Sequence, residues 1–421
     1  MKKLNKLVAI LVAMAMVLSL SIIAAFAAPN TTGTDATNPA KAALTKTFTM
    51  QAGTTTPTTS FTFNFAPAEG SDTGATAFTK TINYTEAKTG VTSGDTKTVV
   101  IQSADILNGI TWPGTGRFIY DVTEANAGQT ASLAGGTLSY GTNMYKMYVD
   151  VKRDTTGALY VSNIAVAVAE YQTVTDPETG TETQKIVATE TKVDPSNPVT
   201  PADGTEEHNT GNGFNFNNSF KKDVIEVTPT GEDDNDGKGF FVEKKVAGNL
   251  ADTQQAFTFT VKVTRAAGST LEKYTAAIYD NDQTGDPAAD IGVVGQPIDF
   301  TFEDGVAEKT VTLTDNQRLV FTKTEVGAKY EVAETPDADY NTTVVKTVKS
   351  VAGEETTTLE AVDYITDGLD NAKYKNTYNK DDGTTPTGIL ISNLPYIALA
   401  LVAIGGLVAY VVVRRRSTDE A

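Results

Sequence analysis

Residues Phe257 to Val263 read Phe-Thr-Phe-Thr-Val-Lys-Val. Side chains alternate along an extended chain, so Phe257, Phe259, Val261 and Val263 share one face and Thr258, Thr260 and Lys262 the other. A helix would scatter the same residues around its axis. The stretch is therefore a half-buried strand, and it has a twin in Phe61 to Phe65, FTFNF. Around the twin lie Lys97 to Ile101 (KTVVI), Arg117 to Val122 (RFIYDV), Met147 to Val151 (MYVDV) and Leu159 to Val168 (LYVSNIAVAV). Around Phe257 to Val263 lie Lys309 to Leu313 (KTVTL), Leu319 to Lys323 (LVFTK) and Thr342 to Val348 (TTVVKTV). All carry strand composition, and Gly, Asp and Pro turns separate them. Helical periodicity is scarce. The pattern predicts an all-β chain of two tandem immunoglobulin-like β-sandwich domains, over residues 28–226 and 240–380. Two polar stretches punctuate it. Thr173 to Gly213, with Pro177, Pro195, Pro198 and Pro201, reads as a loop or insertion of the first domain. Residues 227–239, which include the acidic run PTGEDDNDGKG, read as a linker. That run lacks the glutamate that closes an EF-hand loop, so it reads as solvated chain and not as a calcium site.

Composition narrows the chemistry. The chain has 421 residues, 40% hydrophobic and 20% charged, which suits folded domains. Acidic residues outnumber basic ones by 52 to 34, for a net charge of -18. Such a surface argues against nucleic acid as a partner, since phosphate binding needs a basic patch. There is no cysteine and one histidine, His208, in a polar stretch that reads as a solvated loop. Disulfides, thiolate nucleophiles and cysteine metal sites are excluded. No Ser–His or Cys–His pair and no Gly-rich phosphate loop is present, so no turnover enzyme, cofactor or metal is expected.

The two ends are processing signals. Lys2, Lys3 and Lys6 precede an apolar run from Leu7 to Ala25, and Ala25-Phe26-Ala27 is an A-x-A site. Residues 1–27 are expected to be a cleaved secretory signal peptide. At the other end, Pro395 to Val413 carries no charge and is followed by Arg414, Arg415 and Arg416. That is a spanning segment with a cytoplasmic basic stop, a transmembrane helix within a sorting region at 381–421. Thr385, Pro386, Thr387 and Gly388 stand just before it. Motif, apolar span and basic tail in this order resemble a sortase sorting signal. The usual form is Leu-Pro-x-Thr-Gly, and the Pro-Thr-Gly here is shorter. The resemblance implies cleavage after Thr387, transfer to an amine, and a cell-surface, cell-wall-anchored product whose precursor sits in the membrane.

The two halves also share an order of features. Each opens with a lysine and an FTF strand. Each continues to a Tyr-x-Val-x-Glu element, ending at Glu124 and at Glu334, and closes on an aromatic-flanked asparagine, Asn218 and Asn376. Strand parity puts Lys46 in a row with Leu44 and Phe48, and Lys244 with Val242 and Val246. It puts Glu124 with Tyr120 and Val122, and Glu334 with Tyr330 and Val332. Asn218 joins Phe214, Phe216 and Phe220, and Asn376 joins Tyr374 and Tyr378. Each polar group thus lies in a row that should face a core, where a charge is costly unless paired or neutralised. One outcome is a buried salt bridge with a hydrogen-bonded amide. The other is chemistry. Burial favours a neutral, nucleophilic lysine and a protonated glutamate that polarises the amide carbonyl and shuttles protons. The product would be a Lys–Asn isopeptide bond, formed once, with loss of ammonia.

On these residues the chain resembles the isopeptide-linkage domains of streptococcal-type backbone pilins, Gram-positive surface proteins. The resemblance covers most of the mature chain. By motif match it implies that Lys46 and Asn218 bond with Glu124 as proton shuttle, and Lys244 and Asn376 with Glu334. It implies a structural pilus subunit whose partners are sortase, neighbouring copies of itself and the cell wall. A host surface ligand is a further partner open to it, and a monomeric wall-anchored adhesin or spacer is the alternative. In the resembling pilins, the lysine that receives the next subunit sits just before the first-domain asparagine. Here GNGFNF precedes Asn218 and holds no lysine. Lys185, Lys192, Lys221 and Lys222 are the nearby candidates.

Overall fold

In the computed structural model the described residues are 30–175, 182–196, 207–208, 211–228, 237–281 and 291–379. The expected signal peptide, the sorting motif at Thr385 to Gly388 and the span at 395–413 lie outside them. The chain is all-β, with no α-helix among the described residues. It forms two sandwiches, one after the other. In the first, two seven-stranded sheets face each other; in the second, an eight-stranded sheet faces a four-stranded one. Every stretch quoted above as a strand lies within one. Phe257, Phe259, Val261 and Val263 are buried, and the Thr and Lys residues between them are half-exposed.

Four strands in each domain position the polar residues. In the first they are a lysine strand (Thr45–Gln51), a phenylalanine strand (Thr59–Pro67), a glutamate strand (Gly116–Glu124) and an asparagine strand (Asn215–Lys222). In the second they are Gly239–Ala247, Phe257–Thr264, Lys329–Glu334 and Leu369–Tyr378. The lysine and asparagine strands are parallel neighbours within one sheet in both domains. The phenylalanine and glutamate strands pair antiparallel in the facing sheet. The early and late strands of each domain therefore lie side by side. The core between the sheets is aromatic: Phe48, Phe61, Phe63, Phe65, Phe118 and Phe216 in the first domain, Phe240, Phe259, Phe321, Tyr330 and Tyr374 in the second.

Two expectations about chain organisation need correction. The stretch 173–213, read as a loop or an insertion, contains an inserted hairpin. The strand Leu159–Thr175 runs through its start, and Glu182–Val193 pairs back on that strand as a long antiparallel hairpin. Threonine and glutamate make this hairpin polar, and its outer part is exposed on both faces, so it lacks the apolar alternation that marks a strand in sequence. His208 likewise sits in a two-residue strand paired to Val100, not in a loop.

The domain boundary also lies earlier than the acidic run. Val224–Glu226 pairs with Gln317–Glu325 of the second domain, and Ile225 and Val227 are buried in the second core. The strand Gly239–Ala247 pairs with the same Gln317–Glu325 strand, through Phe241 to Glu243. The chain thus crosses between sandwiches near Asp223, and the acidic run joins two strands of one domain. Across the crossing, Thr55 donates to Asp367 through its N–H (2.8 Å) and its hydroxyl (2.7 Å). Lys221 reaches Gly268 O at 3.2 Å and Glu325 at 3.4 Å.

This boundary has a measurable consequence. A second-domain fragment starting at Asp223 should be more stable in chemical denaturation than one starting at Gly239. Burying Ile225 and Val227 is worth roughly 3–6 kcal/mol together. Equal midpoints for the two fragments would return the boundary to the acidic run.

Candidate functional site

The phenylalanine strand builds one wall of each site. In the first domain the Lys46 amine lies 4.6 Å from the Phe61 ring centroid and 5.9 Å from that of Phe63. In the second, Lys244 lies 4.1 Å from Phe257 and 5.7 Å from Phe259. Both lysines are fully buried, at 0% exposure. The alternation that makes FTF a strand is what presents both rings to the amine.

Pairing register fixes the rest. Lys46 stands opposite Phe216, and Asn218 is two residues further along the same parallel strand. Lys244 stands opposite Tyr374, and Asn376 is again two residues further. A two-residue step keeps the asparagine on the lysine's face. From the facing sheet, Glu124 is opposite Phe63 and Glu334 opposite Phe259, the second phenylalanine of FTF each time. Phe63 packs on Phe216 at 4.8 Å between centroids, and Phe259 on Tyr374 at 5.1 Å. The two domains thus repeat one constellation in one register.

The geometry brings all three polar groups of each set together. Lys46 Nζ donates to Glu124 Oε2 at 2.7 Å, and Asn218 Nδ2 donates to Glu124 Oε1 at 2.7 Å. Lys244 Nζ reaches Glu334 Oε1 at 2.7 Å and Oε2 at 2.8 Å, and Asn376 Nδ2 reaches Oε1 at 2.6 Å. One carboxylate therefore holds both nitrogens. The neighbouring Lys245 is half-buried and meets Asn316 instead. Burial pushes the Lys46 amine down to about 7, against the opposing pull of Glu124. It pushes Lys244 down to about 8, against Glu334. Burial raises the Glu124 carboxyl, and Lys46 and Asn218 partly offset that. Loss of water drives these shifts toward a neutral amine and a protonated acid.

One detail departs from the expectation that the glutamate polarises the carbonyl. The amide nitrogen, not the oxygen, faces the carboxylate in both domains. Asn218 Oδ1 instead accepts the backbone N–H of Gly141 at 2.9 Å. Asn376 Oδ1 is buried with no hydrogen-bond partner among the described residues.

Residues 238–378 match a family model described as "Domain of unknown function (DUF7601)", which covers less than half of the chain. No curated protein sequence matches. Among solved structures the chain is similar to the major pilin of Streptococcus pyogenes, at 18% identity and a TM-score of 0.31, over 80% of this chain and 99% of that one. It is similar to the T3.2 major pilin of Streptococcus pyogenes, at 16% identity and a TM-score of 0.29, over 80% of this chain and 98% of that one. A pilus-presented adhesin, Cpa, is 11% identical with a TM-score of 0.26, over 80% of this chain and 100% of that one.

Sequence reasoning missed Asn212 and Gly141. Asn212 is buried behind the lysine strand, accepts from the Thr45 hydroxyl at 2.9 Å and donates to Ala43 O at 2.6 Å. It ties the chain entering the asparagine strand to the chain entering the lysine strand. Its place in a polar GNG run gave no periodic signal. The four surface-lysine candidates spread out. Lys192 is exposed, and Lys185 pairs with Glu69 at 2.8 Å. Lys221 and Lys222 are engaged at the domain crossing, Lys222 with Ala134 O at 2.7 Å.

The burial predicts an asymmetry between variants. Glu334→Ala leaves the Lys244 amine buried without its counter-group. It should be roughly 3–5 kcal/mol less stable to urea than the double variant Lys244→Met/Glu334→Leu, in which no charge is left unpaired. Equal stability would mean that Lys244 finds water in the folded protein.

Proposed function

We propose that each constellation is a self-crosslinking site, and that the chain is a sortase-assembled pilus subunit. The observation that carries the reading is the repeat. A fully buried lysine, a carboxylate and an asparagine meet at the same register offsets in two domains of different sequence. A buried ion pair would need only two of the three. The third member is a carboxamide, a group that an amine can convert to a stable linkage with loss of ammonia.

The chemistry follows from the contacts. The neutral amine attacks the asparagine Cγ. The glutamate takes a proton from the attacking nitrogen and delivers one to the leaving nitrogen, because its carboxyl already touches both. The C–Nδ2 bond breaks and ammonia leaves. Proximity supplies most of the acceleration, and the low-dielectric wall of phenylalanines favours the unprotonated amine. Each site acts once and consumes its own side chains, so it is not a turnover enzyme.

The placement suits load. The lysine and asparagine strands are parallel neighbours near the two ends of the domain sequence. A pull on the chain ends shears them past one another. A covalent tie between them would pass force directly from the early to the late strand and shield the chain between. It would also constrain the unfolded state as a disulfide does, in a protein with no cysteine. The end signals support the same reading: secretion, a Pro-Thr-Gly motif ending the exported part, an apolar span and a basic stop. Polymerisation would join Thr387 of one copy to an amine of the next.

Intact-mass measurement of the purified chain should show a deficit of two molecules of ammonia. Asn218→Ala and Asn376→Ala should each remove one of them and lower unfolding stability by about 4–5 kcal/mol, the loop-closure value for a ring this long. A full sequence mass in the unsubstituted protein ends the reading. On cells, detergent-resistant ladders of covalent polymers should appear and collapse when Thr387 is changed; a single species would leave a wall-anchored monomer.

The pH profile is a separate check. The reactive amine is the neutral form, so rates rise as pH rises through the folded-state value. Domain 1 closure should level off above about pH 7, and domain 2 closure above about pH 8. The readout is crosslinked-peptide yield against time in newly synthesised chain. Rates that fall with rising pH would contradict amine attack.

A further inference from the structure

We propose that the backbone N–H of Gly141 is an oxyanion donor for closure of the Lys46–Asn218 bond, and that the second domain has no equivalent. The inference rests on the crosslinking reading above and adds a catalytic group to it.

When the Lys46 amine adds to Asn218 Cγ, the carbonyl oxygen takes up the electron pair of the C=O bond. Negative charge then collects on Oδ1 until the C–Nδ2 bond breaks and the double bond re-forms. Glu124 cannot stabilise that oxygen, because its two oxygens hold the two nitrogens. The Gly141 N–H already points at Oδ1 from 2.9 Å, within the range of an oxyanion-hole donor. The site is dry: Asn218 is 3% exposed and Glu124 4%. A fixed dipole there is worth far more than in water.

Local structure explains why this N–H is free for the task. The strand Gly136–Tyr140 pairs with the asparagine strand, and the last pair is Tyr140 with Asn218. At Gly141 the chain leaves the ladder, and its N–H turns to the side chain. The Tyr140 N–H donates to Gln129 O at 2.9 Å and the Gly141 carbonyl accepts the Gly128 N–H at 3.0 Å, which holds the chain on both sides of the peptide that carries the donor. Only glycine permits the approach, since a Cβ at 141 would stand 2.1 Å from Asn217 O.

The second domain lacks the departure. There Thr342 opposes Asn376, and the next residue, Thr343, stays in the ladder opposite Lys375. Asn376 Oδ1 is accordingly buried without a partner among the described residues. The two sites share nucleophile, shuttle and electrophile but differ in oxyanion stabilisation.

The test removes the hydrogen-bond donor without adding a side chain. Gly141→Ala would clash and could misfold, so the N–H is replaced by an ester oxygen, with glycolic acid incorporated at position 141 of the full chain by cell-free translation. Samples are quenched at intervals, digested, and the Lys46–Asn218 and Lys244–Asn376 peptides quantified by mass spectrometry. The first bond should form about 10²–10³-fold more slowly than in the all-amide chain, while the second forms at an unchanged rate. An unchanged rate for the first bond overturns the assignment. Equal slowing of both bonds also overturns it, since that reports a folding defect. Absence of both crosslinks from the all-amide chain would instead remove the reading on which the assignment rests.

Discussion

A lysine amine with no access to water constrains everything around it. Lys46 and Lys244 each lie against two phenylalanine rings, and each amine is hydrogen-bonded by a carboxylate from the facing sheet. An unpaired charge there would outweigh much of a domain's net stability of about 5–15 kcal/mol. The amine and the acid must therefore meet, and the amide is held on the same carboxylate. They come from three strands in two sheets, so the sheets must stack in one registry for them to do so. The aromatic contacts from Phe63 to Phe216 and from Phe259 to Tyr374 hold that registry at the same relative positions in both domains.

The joint between the domains extends the same logic of fixed placement. The chain leaves the asparagine strand of the first sandwich, crosses near Asp223 and at once adds a short strand to the second. That strand lies on Gln317–Glu325, which also borders the second lysine strand. Thr55 with Asp367, and Lys221 with Glu325, add side-chain ties across the crossing. In the proposed reading, force leaving Asn218 therefore meets ordered chain within a few residues, and not a free tether.

How far this could be read in advance depends on what kind of signal each feature leaves. The two sandwiches, their strands and the inward rows of Lys46, Glu124, Asn218 and their counterparts were legible, because a strand's period of two writes burial directly into residue order. The hairpin at Glu182–Val193 was not, because its exposed outer faces demand no apolar alternation. The boundary near Asp223 was hidden by a strand of three residues, too short for periodicity to register. Gly141 was hidden for another reason: its role is carried by a main-chain N–H, which every residue but proline possesses.

The amino-acid order alone determined that polar side chains sit in otherwise apolar rows, twice and in the same sequence of types. That follows from local geometry, and local geometry depends only on neighbours along the chain. Which groups touch was decided by tertiary structure. Pairing register set the two-residue offset between lysine and asparagine, and sheet stacking delivered the glutamate. One strand's departure from its ladder after Tyr140 turned the Gly141 amide toward Asn218, and the continued pairing of Thr343 in the second domain gave Asn376 no such donor. Such contacts join residues far apart in the chain, and the free energy that selects them belongs to the packed core as a whole.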